Sequence, residues 1–179
     1  MRKIFFGLLA SILLCGEASS QQAPAPDPQR MITGVWRIAP AGNYVDEADG
    51  TRSYPFGKDG TGRFIFTADG FAANFIEYAH RPNCAAGTSP RQCTAEEATA
   101  AFKSASSYQF RYRLEPDQAN PLTGTMFWDV DYSGYPNWQG QTLPRRYEIQ
   151  PGGDAWAFTA PFPSNPKLGL KAHLEREPR

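Results

Sequence analysis

Few residues in this chain could carry acid–base or metal chemistry, and they lie far apart. The two histidines are His80, which follows a predicted strand, and His173, on the polar face of the last predicted strand. Neither has a cysteine or a second histidine at a spacing that suits a metal ion. Asp129 and Asp131 could form a pair of catalytic carboxylates, but they lie on the face opposite Trp128, so we expect them to be solvated. These residues predict no catalytic group and no metal site.

Short catalytic motifs are also missing from the sequence. It contains no G-x-S-x-G, no H-E-x-x-H and no glycine pattern for binding phosphates or dinucleotides. Its 18 basic and 18 acidic side chains balance, so no net field attracts a nucleic acid backbone or an anionic lipid surface. We therefore expect no cofactor, no nucleic acid partner and no stable membrane insertion, and we find no positive sign of an enzyme.

The first residues have the pattern of a secretory signal peptide. Two basic residues precede an apolar run over residues 4–14, which is too short to span a bilayer, and small residues suit cleavage after Ser20. The alternative is a lipoprotein signal with Cys15 as the acylated residue, but that chemistry requires a small residue before the cysteine, where Leu14 stands. We expect a signal peptide over residues 1–20 and a secreted or periplasmic protein.

Cys84 and Cys93 are the cysteines that remain after removal of this leader. Exported proteins fold where thiols are oxidised, and the eight residues between the two cysteines include a glycine and a proline that let the loop close. The alternative is a redox or metal-binding pair, which lacks the C-x-x-C spacing and companion ligands. The sequence therefore predicts a disulfide between them.

The elements that must position all these residues are mainly strands. Residues 21–30 are rich in Pro, Ala and Gln and predict a disordered lead-in, so the folded domain is expected over residues 31–179. Residues 54–78 predict a loop and a hairpin with a two-residue turn at Asp69-Gly70. Residues 94–105 predict the one helix, which begins with a capping box and carries an alanine-rich stripe expected to pack on the sheet.

Strict alternation of apolar and polar side chains marks further strands after the helix. With the strands before it, the chain contains eight short strand candidates separated by turn residues. Such strands must form either a two-sheet sandwich or a barrel. Because most connections are sequential hairpins, the sequence predicts an all-β fold, an eight-stranded antiparallel up-and-down barrel with one short α-helix.

Four segments give the chain a family resemblance. They are ITGVWRI, YPFGKDGTGRFIFTADG, AEEATAAFKSASSYQFRY and YPNWQGQTLPRRYEI, in this order. With them the chain resembles the lipocalin-like domain family of small calycin-type barrels over about residues 32–176. The resemblance implies that Trp36 closes one end of the barrel and that Arg176 packs over it, so that both residues are structural.

The apolar faces carry more aromatic rings than barrel closure requires. In a lipocalin-like barrel they predict a cavity that binds a small hydrophobic or aromatic molecule, with polar side chains near the Tyr135-Pro136 turn as handles. The ligand-binding residues expected on this basis are Phe64, Phe66, Phe110, Tyr112, Trp128, Tyr132, Asn137, Trp138, Arg145 and Tyr147.

Two alternatives to a carrier remain open. The rings could fill the barrel completely, which would make the protein a structural or interaction module. An isomerase or cyclase could also act in the same cavity, with Tyr132, Arg145 or His80 transferring protons or stabilising charge. A cavity in the structure would argue against the first alternative.

Overall fold

The structure is a computed structural model, and it describes residues 25–85, 89–162 and 165–178. The predicted signal peptide, including Cys15, and the first part of the predicted lead-in lie outside these ranges. Within them, no helix is both long enough and apolar enough to cross a lipid bilayer.

Nine strands and two short α-helices make up the described ranges. The helices are α1, Pro28–Ile32, and α2, Ala95–Lys103, and single 3-10 turns cover Pro90–Gln92 and Pro136–Trp138. The strands are β1 Gly34–Asp46, β2 Arg52–Ser53, β3 Thr61–Phe66, β4 Phe71–Glu77, β5 Ala105–Pro116, β6 Thr123–Ser133, β7 Thr142–Ile149, β8 Ala155–Phe162 and β9 Asn165–Arg176.

The sheet closes into a barrel because β1 pairs with a strand on each side. Strands β3 to β9 pair antiparallel, each with the next, and β9 pairs back onto β1. At the closure Trp36 of β1 lies opposite Phe64 of β3 on one side and opposite Arg176 of β9 on the other. The two residues of β2 add only to the end of β1. The predicted eight-stranded antiparallel barrel is confirmed, with β2 as one extra strand.

Trp36 and Arg176 lie at one end of the barrel, beneath α1. Trp36 is fully buried, and its indole nitrogen donates to the carbonyl of Ile32 at 2.7 Å. The Arg176 guanidinium carbon lies 4.2 Å from the Trp36 ring centroid. Its nitrogens donate to the carbonyls of Met31, Thr33 and Gly153 at 2.7 to 3.1 Å. We call this the closed end of the barrel.

Helix α1 overlaps the end of the predicted disordered lead-in, residues 21–30, because the helix begins at Pro28 and residues 28–30 are therefore ordered. Asp27 caps it by accepting from the backbone nitrogen of Arg30 at 3.3 Å, and proline suits the first position of a helix. Ile32 at the other end of α1 is fully buried in the core. The proline that looked like a linker residue therefore begins a short cap on the barrel.

The hairpin between β3 and β4 is present, but its turn differs from the prediction. Thr67 donates from its backbone nitrogen to the carbonyl of Phe71, and the turn between these two residues has three residues, 68–70, rather than two. Gly70 alone among them has a positive φ, of 83°, which is typical of a type I turn followed by a left-handed glycine. Asp69 instead accepts a hydrogen bond from the Thr67 hydroxyl.

The predicted disulfide is confirmed, and it holds the start of α2. Cys84 and Cys93 are bonded, with their Cα atoms 5.3 Å apart. The predicted capping box is also present. The Glu97 carboxylate accepts from the backbone nitrogen of Thr94 at 2.9 Å, and the Thr94 hydroxyl accepts from the backbone nitrogen of Glu97. The expected packing of the helix is wrong, because α2 has no buried residue and Phe102 is 54% exposed. A nine-residue helix fixed by a cap, a disulfide and the start of β5 does not depend on burial.

Candidate functional site

A cavity of about 200 Å³ lies in the barrel at the end remote from α1. Its walls come from the second half of β1, the start of β5 and β7, the end of β8 and the middle of β9, together with β3, β4 and β6. The lining residues are Asn43, Phe56, Phe64, Asn74, Ile76, Ser106, Tyr108, Trp128, Trp138, Leu143, Arg145, Phe158, Ala160, Pro161, Phe162, Leu170 and Ala172. Most of them are apolar, which is typical of a small-molecule site.

Three buried rings, those of Phe64, Trp128 and Phe158, form the floor of the cavity. The centroid of Phe158 lies 5.6 Å from that of Phe64 and 5.1 Å from that of Trp128, in both cases edge to face. Trp128 also stacks on Phe110, with the two ring centroids 4.2 Å apart. Such ring contacts are worth about 0.5–1.5 kcal/mol each beyond area burial, so we expect the floor to be rigid.

The rim of the cavity is also aromatic. Trp138 comes from the 3-10 turn after β6, and its ring stacks on that of Tyr108 with centroids 5.0 Å apart and an interplanar angle of 15°. Tyr135 packs edge to face on Trp138 at 5.0 Å. Tyr135 is 43% exposed, so the rim has an apolar outer side.

Arg145 brings a positive charge to this apolar cavity. Alternation along β7 turns Arg145 inward and Arg146 outward, where Arg146 forms an ion pair with Asp117. The Arg145 guanidinium carbon lies 4.8 Å from the Trp128 ring centroid, and one terminal nitrogen donates to the carbonyl of Pro144 at 2.8 Å. Its Nε is buried and has no hydrogen-bond partner among the described residues. In the described part of the chain, no carboxylate forms an ion pair with it.

Burial changes the acid–base properties of Arg145 and Tyr108. Desolvation lowers the pKa of Arg145 from 12.5 to about 10, against a smaller opposite effect of Tyr108. Desolvation also raises the pKa of Tyr108, opposed by Ser106 and by the charge of Arg145. At neutral pH the cavity therefore contains a guanidinium cation and a neutral phenol, both of them hydrogen-bond donors.

Two asparagine side chains face the same cavity from other strands. Asn74 lies on β4 between Phe64 and Tyr108 of the neighbouring strands. Asn43 lies on β1 just after a bulge, in which Ala41 has a φ of 51°. In both side chains the amide nitrogen and oxygen are buried and have no hydrogen-bond partner within residues 25–85, 89–162 and 165–178. Such groups cost about 1–3 kcal/mol each when nothing binds them, so they are suited to a ligand or to ordered water.

The predicted ligand-binding residues fall into three groups. Four of them line the cavity: Phe64, Trp128, Trp138 and Arg145. Four others are buried in the core but do not line it: Phe66, Phe110, Tyr112 and Tyr147. The last two are exposed outside it: Tyr132 and Asn137.

Tyr132 lies outside the cavity because of a bulge in β6. Gln109 of β5 lies opposite Tyr132 while Phe110 lies opposite Val130, so Asp131 is an extra residue in β6. The alternation reverses at this point. Ser133 is therefore buried, whereas Tyr132 is 61% exposed.

Asn137 lies outside for a simpler reason. It belongs to the 3-10 turn Pro136–Trp138, in which Trp138 and not Asn137 faces the cavity. The turn that was expected to supply polar handles thus supplies a ring.

The other residues considered for chemistry lie away from the cavity. His80 is exposed, and Asp129 accepts from the hydroxyl of Thr142 at 2.6 Å on the outside of the barrel. His173 stacks on Tyr44 at 5.4 Å on the outer face of β9, where burial lowers its pKa. Among the residues that the structure describes, no three histidine, cysteine or acidic side chains are grouped so as to hold a metal ion.

The sequence reasoning missed Asn43, Asn74 and Tyr108 as cavity residues. Asn74 had a signal, because it occupies an inward position between Ala72 and Ile76 of a predicted strand. Asn43 had none, since residues 40–52 were expected to be a loop, whereas β1 continues through its bulge to Asp46.

The sequence matches the model of a known protein family. A family model described as a lipocalin-like domain matches residues 33–167, which is most of the chain. The search of curated proteins gave no match.

Proposed function

The chain belongs to the lipocalin-like domain family, and on that premise we propose that it binds a small hydrophobic or aromatic molecule inside the barrel. The observation that carries this proposal is the cavity with its floor of three rings. A barrel of eight strands is near the size at which side chains alone fill the interior. In this chain they fill the closed end and leave the other end hollow.

The proposed ligand is small. An apolar cavity of about 150 Å³ can hold benzene, and pockets for drug-sized ligands begin at about 300 Å³. The cavity of this barrel, at about 200 Å³, lies between the two, so it suits a ligand of one or two rings or a short chain. We propose that such a ligand packs on Phe64, Trp128 and Phe158 and passes Trp138 at the rim.

We also propose that the protein is exported. The disulfide between Cys84 and Cys93 supports this, because such bonds persist in oxidising compartments. The pattern of basic and apolar residues at the start of the sequence supports it independently.

The two alternatives to a carrier are less well supported. The cavity argues against a barrel packed solid with side chains. An isomerase or cyclase would need a group that exchanges protons with the substrate, and His80 and Tyr132 are exposed outside the cavity. Arg145 does line it, but a guanidinium stays protonated at neutral pH and so binds charge rather than transferring protons.

Titration with 2-naphthol, followed by quenching of tryptophan fluorescence, tests the proposal. Ala160 of β8 lines the cavity, and the Ala160→Phe variant should weaken binding at least about tenfold by filling it. Ala157 lies on the outer face of the same strand and does not line the cavity, so Ala157→Phe is the matched control and should bind as the wild type does. Equal binding by the two variants, or none by the wild type, would refute the proposal.

A further inference from the structure

Resting on the proposed function, we infer that the natural ligand is a monocarboxylate whose apolar body lies on the floor rings and whose carboxylate binds Arg145. Arg145 differs in its surroundings from the other arginines of the barrel, and this difference is what points to an anionic ligand.

Arg145 is the exception among the arginines on the described strands. The outward-facing ones all pair with a carboxylate; they are Arg37, Arg52, Arg63, Arg111, Arg113 and Arg146. Arg176, at the closed end, donates to three backbone carbonyls. Arg145 is buried, and among the residues that the structure describes its partners are the Pro144 carbonyl and the face of Trp128. A buried charge is expensive unless it is paired, so this guanidinium is suited to an anion that comes with the ligand.

A carboxylate fits this site better than other anions. The guanidinium is a planar fork that binds the two oxygens of a carboxylate side by side. A single carboxylate brings one negative charge, which the guanidinium of Arg145 neutralises, whereas a phosphate monoester brings about two. The remaining polar groups that line the cavity, including Tyr108, Asn43 and Asn74, are neutral, so they could not compensate a second charge.

The neutral groups specify the ligand further. Tyr108 keeps its proton at neutral pH because burial raises its pKa, so its hydroxyl can donate to the same carboxylate. Asn43 and Asn74 reach the cavity from β1 and β4, which are separated from β7 by other strands of the ring. Their unpartnered amides suit a hydroxyl or carbonyl group on the body of the ligand, away from its carboxylate.

A pair of probes that differ only in charge tests the inference. 2-Naphthoate and 2-naphthamide have the same shape, and each has two rings. In the wild type, tryptophan quenching or calorimetry at neutral pH should show that the carboxylate binds at least about tenfold more tightly than the amide. Arg145→Met should abolish this preference while leaving the affinity for the amide within about threefold of its wild-type value.

Two further variants separate a specific site from general effects. Arg146 is the next residue on β7 but faces outward to Asp117, so Arg146→Met removes the same charge from the strand and should retain the preference. Arg145→Lys keeps the charge without the planar fork and should retain part of the preference, which also provides a test if the methionine variant does not fold.

The outcomes distinguish this inference from the proposed function. If the wild type binds both probes equally and Ala160→Phe loses both, the barrel is a carrier and the carboxylate inference is wrong. If the preference survives in Arg145→Met, the charge is recognised elsewhere and the inference is also wrong. If neither probe binds at concentrations up to about 1 mM, both the inference and the proposed function are refuted.

Discussion

Replacement of Arg145 by methionine should stabilise the protein in the absence of ligand. The pKa of its guanidinium falls from 12.5 to about 10, so holding the charge in the folded protein costs about 3 kcal/mol relative to water. The cation–π contact with Trp128 and the hydrogen bond to the Pro144 carbonyl return about 1–2 kcal/mol of this. Methionine has a similar length and no charge, so we expect a net gain of about 1 kcal/mol.

The pH dependence of this penalty has a definite sign. Between pH 10 and 12.5 the unfolded chain holds a proton on Arg145 that the folded protein has released, so raising the pH through this range favours the folded state. Below about pH 10 the side chain is charged in both states and the full penalty applies. A comparison at pH 7 therefore measures all of it.

Urea unfolding at pH 7, followed by tryptophan fluorescence, is the appropriate assay. Each protein is first unfolded and refolded to remove bound small molecules. The matched control is Arg146→Met, which loses a half-exposed ion pair with Asp117 and should be less stable by about 0.5 kcal/mol. The two neighbouring substitutions should thus have opposite signs. If Arg145→Met is less stable than the wild type by more than about 2 kcal/mol, the guanidinium is a structural group and the reasoning is wrong.

Three further predictions concern other parts of the structure. Asp117 is paired with Arg146, which lowers the pKa of its carboxyl to about 2. Asp117→Asn should therefore lower the urea midpoint at pH 5, and the difference in midpoint from the wild type should shrink as the pH falls from 3.8 to 2. The Cys84–Cys93 disulfide closes only a short loop. Its reduction should therefore lower the unfolding free energy by less than about 3 kcal/mol, and circular dichroism should show that the barrel is still folded. Trp138→Ala should speed both association and dissociation of 2-naphthol in stopped-flow measurements, because Trp138 covers the rim.

Each of these has an outcome that contradicts it. A constant difference between Asp117→Asn and the wild type from pH 5 to pH 2 would mean that the carboxylate has no lowered pKa. Loss of the barrel on reduction would mean that the disulfide loop supports the core, although α2 has no buried residue. Tyr135→Ala is the control for the rim, since Tyr135 contacts Trp138 but does not line the cavity. If the rates of association and dissociation are unchanged in Trp138→Ala, the ligand enters by another route.

The sequence predicted the barrel well because its strands follow a simple rule. Where alternation is unbroken, as from Tyr108 to Leu114 in β5, the apolar residues point inward and the charged ones outward. One buried face then fixes the register, because a shift by one residue would exchange the two faces. The same rule placed Arg145 inside the barrel with Tyr147 and Ile149.

The parts that could not be predicted are those where the backbone departs from that rule. Bulges in β1 and β6 each insert residues without a sequence signal, and they bring Asn43 into the cavity and turn Tyr132 out of it. The alanine-rich stripe of α2, which includes Phe102, looked like a packing face but is exposed. A helix that is held by a cap and a disulfide does not need a buried face. A site built at such irregularities depends on tertiary structure, so its polar members are hard to identify from sequence.

Arg176 and Arg145 show how one residue type takes two roles in this barrel. Each guanidinium lies over a buried tryptophan of the core, at 4.2 Å from Trp36 and 4.8 Å from Trp128. Arg176 also donates three hydrogen bonds to backbone carbonyls, so the fold itself satisfies it and its charge fixes α1 to the closed end. Within the described part of the chain Arg145 donates one, and its Nε has no partner there. A residue whose donors are satisfied by the backbone stabilises the fold, whereas one that the fold leaves unsatisfied beside a cavity is placed to recognise a ligand.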